Sequence, residues 1–127
     1  MENMPRVGVG IMIWKDGKIL LHQRKSSHGK GEYSFPGGHL EMNETIEECA
    51  RREVREEANI EIQNIRFFNL TNIPSNEKHY VTIGIVADWS SGEPKVMEPD
   101  KCVSWGWYSP EKLPEPLWPY TRFMFDT

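Results

Sequence analysis

At 127 residues, with 38% hydrophobic and 27% charged side chains, the chain has the size and balance of one folded domain with a single core. A formal charge of −4 argues against the basic surface that a nucleic-acid polymer requires, and no apolar run approaches the roughly 18 residues that span a membrane. Cys49 and Cys102, with no CxxC spacing and no neighbouring histidine cluster, make no zinc site; buried free thiols in a reducing cytoplasm are expected instead.

In chain order, MENMPRVGVGIMIWKDGK lacks a basic leader region and its apolar run stops at Lys15-Asp16, so no signal peptide is expected. Arg6 to Ile13 alternates Val7, Val9, Ile11 and Ile13 and predicts a strand. Asp16-Gly17 predicts a hairpin turn, and Ile19 to Arg24 the returning strand. Residues 25–34 read as a polar loop before Phe35-Pro36-Gly37-Gly38. A helix is predicted from Ile46 to Ala58, with the capping box Thr45/Glu48 at its start and Asn59 in a left-handed cap at its end. Further strands are expected at Ile62–Leu70, His79–Trp89 and Cys102–Tyr108, with a turn over Ser90–Pro94. A brief helical turn is expected near Ser109–Glu111. Pro114, Pro116 and Pro119 then break regular structure before a short helix from Tyr120 to Phe125. The whole chain, 1–127, reads as one α+β domain.

The predicted helix carries the chemistry. Glu53, Glu56 and Glu57 stand at i, i+3 and i+4 and so share one face, where like charges repel. On a helical wheel with Ile46 at zero, Ala50, Val54 and Ala58 fall at about 40°, 80° and 120°, and the three glutamates adjoin this apolar stripe at about 280° to 20°. Partly buried carboxylates must be paired, protonated or metal-bound, and Arg52 can neutralise only part of the cluster. Oxygen ligands of this kind suit Mg²⁺, with Mn²⁺ as a substitute. The bland alternative is a solvated Glu/Arg face, which the position beside the stripe disfavours.

Gly38, Glu44, Arg52, Glu53, Val54, Glu56, Glu57 and Ile60 resemble the Nudix box, G-x5-E-x7-R-E-U-x-E-E-x-G-U, with U an aliphatic residue. Asn59 alone departs, standing where the box has its last glycine; asparagine tolerates the left-handed conformation, so the helix end is expected to survive. The segments PGGHLE, EECARREV, HYV, EPKVMEPDKC and W-x-W-Y extend the likeness to small MutT-like nucleoside triphosphate diphosphatases, closest to the branch with the plant and animal oxidised-nucleotide hydrolases. The resemblance implies an α/β/α sandwich around a mixed sheet, with the box helix packed on it. It implies metal binding by Glu56, Glu57 and the Gly37 carbonyl. Glu53 binds metal or acts as the base, oriented by Arg52, and Glu44 supports the helix. Glu98 stands where a distal glutamate joins metal binding or catalysis, against the ordinary reading of a solvated loop residue.

The substrate is less legible. Arg24, near the end of its strand, is a candidate phosphate contact. Phe35, Tyr80, Trp105, Trp107 and Trp118 are candidates to stack on a base, with Trp105 and Trp107 expected in the core and Trp118 as pocket wall. Gly38, His39 and His79 are further lining candidates. Gly31 through Gly38 keep the ending of a coenzyme A diphosphatase motif, but His28-Gly29-Lys30 replaces its arginine. Pro74 gives weak support for an ADP-ribose diphosphatase. The expected function is therefore Mg²⁺-dependent hydrolysis of a nucleoside triphosphate, oxidised dNTPs and pterin triphosphates included, to the monophosphate and pyrophosphate. The alternatives are a nucleoside diphosphate-X diphosphatase or a non-catalytic nucleotide-binding module. The partner is a small nucleotide, with no polymer and no membrane; a homodimer is compatible with the branch.

Overall fold

The computed structural model describes residues 4–74 and 78–126, the side chain of Ile73 excepted, so the first three residues of the expected leaderless N-terminus lie outside it. Its elements are β1 (Arg6–Lys15), β2 (Lys18–Arg24), β3 (Tyr33–Ser34), β4 (Gly37–His39), α1 (Ile46–Ala58), β5 (Glu61–Ile73), β6 (Tyr80–Ser91), β7 (Cys102–Tyr108) and α2 (Pro119–Phe125). The seven strands form one mixed sheet. β1 runs parallel to β6 and antiparallel to β2 and β4, and the edge strand β5 pairs only with β6.

Alternation on β1 explains the layers. Val9, Ile11 and Ile13 pack with Leu20 and with Cys49, Ala50, Val54 and Ala58 of α1. Met12 faces the other way and joins Ile19, Leu21, Phe35, Leu117 and Met124 in a second cluster beneath α2. A helix on each face gives the expected α/β/α sandwich. The stripe read from the wheel is the buried face of α1, with Cys49 added to it. Both cysteines are free and buried. Among the described residues no helix is long and apolar enough to cross a membrane.

Local chemistry decides the ends. Asp16 and Gly17 both have positive φ (51° and 78°), the conformation that a two-residue hairpin turn needs. The α1 capping box closes from both sides, Glu48 N to Thr45 Oγ1 at 3.0 Å and Thr45 N to Glu48 Oε1 at 2.8 Å. Asn59 ends the helix at φ 58°, ψ 39°, and its N–H donates to Arg55 O.

Several expected boundaries move. β1 runs on to Lys15 and β5 to Ile73, and β6 continues through Ser91, so Ser90 and Ser91 stay in the strand and irregular backbone follows from Gly92 (φ 96°). The presumed loop 25–34 ends in the short strand β3, because Tyr33 and Ser34 find partners in Gln23 and His22. Ser109–Glu111 makes a turn closed by Lys112 N to Ser109 O (3.0 Å) rather than helix. Pro119 starts α2 instead of breaking structure, since a first-turn proline surrenders no helical hydrogen bond.

The sheet opens where function needs it. β1 and β2 pair at Trp14↔Ile19 and Lys15↔Lys18, then diverge, and β4 takes up the vacated edge of β1 from Gly8 to Gly10. The cleft lies at this fork.

Candidate active site

Gly37 and Gly38 of β4 bring backbone directly against α1. A Cβ on Gly37 would overlap the Val9 carbonyl, so that position excludes a side chain, and one on Gly38 would displace the Glu53 carboxylate. The Gly37 N–H donates to Glu57 Oε1 at 2.9 Å.

Arg52 organises the neighbouring carboxylates. Its Nε and Nη2 grip Glu44 at 2.6 and 3.0 Å in a bidentate pair, its Nη1 reaches Glu53 and Glu56 at 2.6 and 2.7 Å, and Nη2 also donates to the His39 carbonyl at 3.0 Å. Glu44 is thereby held down to about 2, chiefly by its hydrogen bonds from Arg52. Burial pushes Glu53 upward against the pull of Arg52. Glu57, beyond the reach of Arg52, is pushed up to about 8 by burial; the Gly37 amide and, more weakly, Lys101 pull it down, while Glu53 and Glu98 add repulsion.

The expectation that Arg52 satisfies only part of the cluster therefore holds. Glu53 and Glu57 resist joint ionisation, as oxygen donors do when a cation is their natural partner. The donor set, carboxylates and backbone oxygen without sulfur, fits Mg²⁺. Among the described residues no group of three acidic, histidine or cysteine side chains stands ready to hold an ion. Arg52 draws Glu53 and Glu56 to itself, and the Gly37 amide draws one Glu57 oxygen.

From this acidic end a cleft of about 860 Å³ runs past Gly8 and Gly10 to Trp118. It brings together Arg24, Gly37, Gly38, His39, Arg52, Glu53, Glu56, Glu57, Tyr80, Glu98 and Trp118, the dispersed candidates of the sequence. The Arg24 guanidinium lies 4.0 Å over the Trp118 ring and donates through Nε to His28 O (3.2 Å), so it is already a partner of the tryptophan. His39 stacks on Tyr80 at 5.3 Å, with Nε2 2.8 Å from its hydroxyl.

Three aromatic candidates take other work. Phe35 borders the cleft but is 6% exposed, its ring against Phe125 at 5.3 Å, which leaves no face for a base. Trp105 and Trp107 pack on the core, as expected. His79 turns to Asn72 (2.6 Å) and does not line the cleft.

His22, Ser34, Tyr120 and Thr121 also line the cleft and were not singled out in the sequence. His22 was within reach, because it lies two residues before Arg24 and a strand repeats its faces every second residue. Tyr120 and Thr121 carried no such signal; only the packing of α2 brings them there.

The profile of the NUDIX domain matches residues 4–126. The chain belongs to the NUDIX family. A MutT NUDIX hydrolase from Burkholderia pseudomallei superposes with a TM-score of 0.91 at 35% identity, covering 98% of each chain. A MutT protein from Methanosarcina mazei gives 0.79 at 25% identity, covering 98% of this chain and 93% of that one. By sequence, the NAD-capped RNA hydrolase NudC of Photorhabdus laumondii is 37% identical over 110 residues, 87% of this chain and 40% of that protein. The chain thus spans about two fifths of the length of the curated relatives it matches. The Nudix box drawn from residues 38–60 is therefore a family signature, with Asn59 as its local variation.

Proposed function

We propose that this Nudix protein hydrolyses a nucleoside triphosphate to the monophosphate and pyrophosphate, using Mg²⁺, for which Mn²⁺ substitutes. The observation that carries the reading is the polarity of the cleft. Carboxylates that repel one another stand at one end, and an aromatic–cationic wall stands at the other.

Glu56 and Glu57 would hold the ion, with the Gly37 carbonyl and Glu98 completing the oxygen set. When bound, Mg²⁺ neutralises the polyphosphate and lowers the pKa of the attacking water. Water oxygen forms the new bond to phosphorus, the bond to the bridging oxygen breaks, and pyrophosphate leaves with the electron pair. Glu53 accepts the water proton; its raised affinity for protons suits a base. Arg52 fixes the Glu53 rotamer through the 2.6 Å bond. The nucleobase lies toward Trp118, at the end of the cleft where Arg24 and Tyr80 also line the wall.

The name of the NudC relatives favours a second reading, cleavage of a dinucleotide or of NAD-capped RNA. The net charge of −4 weighs against a polymer. A Mg²⁺-dependent screen over dNTPs, oxidised dNTPs, dihydroneopterin triphosphate, ADP-ribose, coenzyme A, NAD and NAD-capped RNA separates these, with pyrophosphate scored against phosphate. Release of pyrophosphate from a triphosphate is expected. Preference for a dinucleotide overturns the substrate class. Turnover unchanged in Glu56→Gln overturns metal catalysis.

A further inference from the structure

One row of side chains crosses the sheet behind Glu57. In register, His22 of β2 faces Ser34 of β3 on one side and Trp105 of β7 on the other. Its Nε2 lies 2.9 Å from Ser34 Oγ, and its ring packs on the Trp105 indole at 4.7 Å. The indole Nε1 donates to the backbone carbonyl of Glu57 at 3.2 Å.

That carbonyl is in the last turn of α1, where the helix supplies no amide to receive it. Its neighbours are tied as well, Arg55 O by Asn59 N and Ala58 O by Lys95 N. Trp105 is thus the side-chain anchor of the turn that carries Glu56 and Glu57. Ser34, at the other end of the row, is three residues before Gly37, whose amide holds the Glu57 carboxylate. The two routes close a ring: Gly37 to Glu57 directly, and Ser34, His22 and Trp105 to the Glu57 carbonyl.

We propose that Trp105 is a positioning residue of this Nudix site. Clamped by His22 and Ser34, it sets the end of α1 so that the Glu57 carboxylate meets the Gly37 amide. His22 suits the task as a neutral ring, since burial and the adjacent Arg24 push it down to about 4 and its buried Nδ1 has no hydrogen-bond partner among the described residues. The consequence for catalysis rests on the reading of Glu57 as a metal ligand; the placement of Glu57 does not.

The test is Trp105→Phe, which deletes the indole N–H and keeps an aromatic ring against His22. In the metal-free protein, amide exchange at Gly37 should quicken about fivefold relative to amides of the β5–β6 ladder, the loss expected for one hydrogen bond. Mn²⁺ affinity, read by electron paramagnetic resonance without nucleotide, should fall about tenfold, as for other residues that orient a ligand. With substrate, kcat should fall while KM stays level. Should this variant not fold, Ser34→Ala leaves Trp105 in place and should shift the same readouts in the same direction, about twofold. Unchanged Gly37 exchange overturns the positioning role, whatever happens to turnover. Faster Gly37 exchange in a protein whose wild type binds no Mn²⁺ upholds the positioning of Glu57 and overturns the metal reading alone.

Discussion

The two ends of the cleft are built on opposite principles. At the acidic end the working groups come mainly from one helix and the strand before it, and the distances are short because Arg52 and Gly37 hold them. At the aromatic end Arg24, Tyr80, Trp118 and Tyr120 come from β2, β6, the loop before α2 and α2 itself. The first end is electrostatically poised, with carboxylates that resist joint ionisation. The second is settled, its cation already stacked on its tryptophan and its histidine on its tyrosine. On the proposed function, reaction type is invested in a local, charged motif and substrate choice in a long-range, packed one. Changes at the first should alter kcat, and changes at the second KM.

The largest separation of the two is expected from Glu57→Gln. On the proposed role of Glu57 as a metal ligand, its loss forfeits several kcal/mol of charge stabilisation, so kcat should fall by about a thousandfold or more. Stability should move the other way. In the folded, metal-free protein Glu57 titrates at about 8 rather than 4.5, so the folded state binds more protons than the unfolded one between these values. The group therefore destabilises the fold increasingly as pH rises through that window. Urea midpoints in chelator should decline for the wild type from pH 6.5 to 8, above the range in which the depressed His22 has the opposite slope, and decline less for the variant. Equal slopes would remove the crowded carboxylate from the account. Competition between proton and ion also predicts that metal affinity weakens as pH falls below 8.

Arg52 comes next. Replacing it with alanine frees Glu53 and Glu56 and strips Glu44, whose side chain is 10% exposed, of its bidentate partner. Activity should fall about ten- to a hundredfold, the usual loss when a supporting residue around a metal site is removed. Arg52→Lys should recover little, because a point ammonium cannot reproduce the fork onto Glu44 while also reaching Glu53 and the His39 carbonyl. Full recovery in steady-state assays would mean that only the charge of Arg52 matters.

At the aromatic end, Trp118→Ala should raise KM about tenfold and leave kcat within a few-fold, since stacking of one base is worth about 1–3 kcal/mol. Gly8→Ala makes the same point from the sheet. Its Cβ would sit 3.3 Å from Thr82 Oγ1 and 3.6 Å from the Tyr80 ring, tight but tolerable, yet it would intrude on the cleft floor. A fall in kcat with KM unchanged, in either variant, would contradict the division of labour between the two ends.

That division also explains what the sequence disclosed. The acidic end was legible because a helix maps spacing onto a face, so Glu53, Glu56 and Glu57 could be placed beside Ala50, Val54 and Ala58 without knowing any other contact. The ends of α1 were legible for the same reason: Thr45, Glu48 and Asn59 act within one turn. The other end depended on which strands neighbour each other. Nothing local to Arg24 revealed that it would stack on Trp118, nothing near Phe35 that Phe125 would cover it, and nothing near Trp105 that its indole would reach the Glu57 carbonyl. The moved boundaries have the same origin, since β3 exists because β2 on one side and the 116–118 segment on the other offer it partners.

The smallest expected effect falls on the box position that departs from the family signature. Asn59 adopts φ 58°, ψ 39°, a conformation in which glycine meets no steric penalty and asparagine a small one. Asn59→Gly should leave stability within about 0.5 kcal/mol, because relief of the left-handed backbone is offset by the greater freedom of glycine in the unfolded chain. Asn59→Ala, with a Cβ and no side chain suited to that conformation, should lose about 1 kcal/mol in urea unfolding. Neither change touches the cleft directly. Glu57, however, is only two residues upstream, and its carbonyl is held by Trp105 whether or not the cap is ideal. Turnover should therefore follow wild type in both variants while stability separates them. A loss of kcat in Asn59→Ala beyond about twofold would show that the cap, and not the indole, sets the end of the helix.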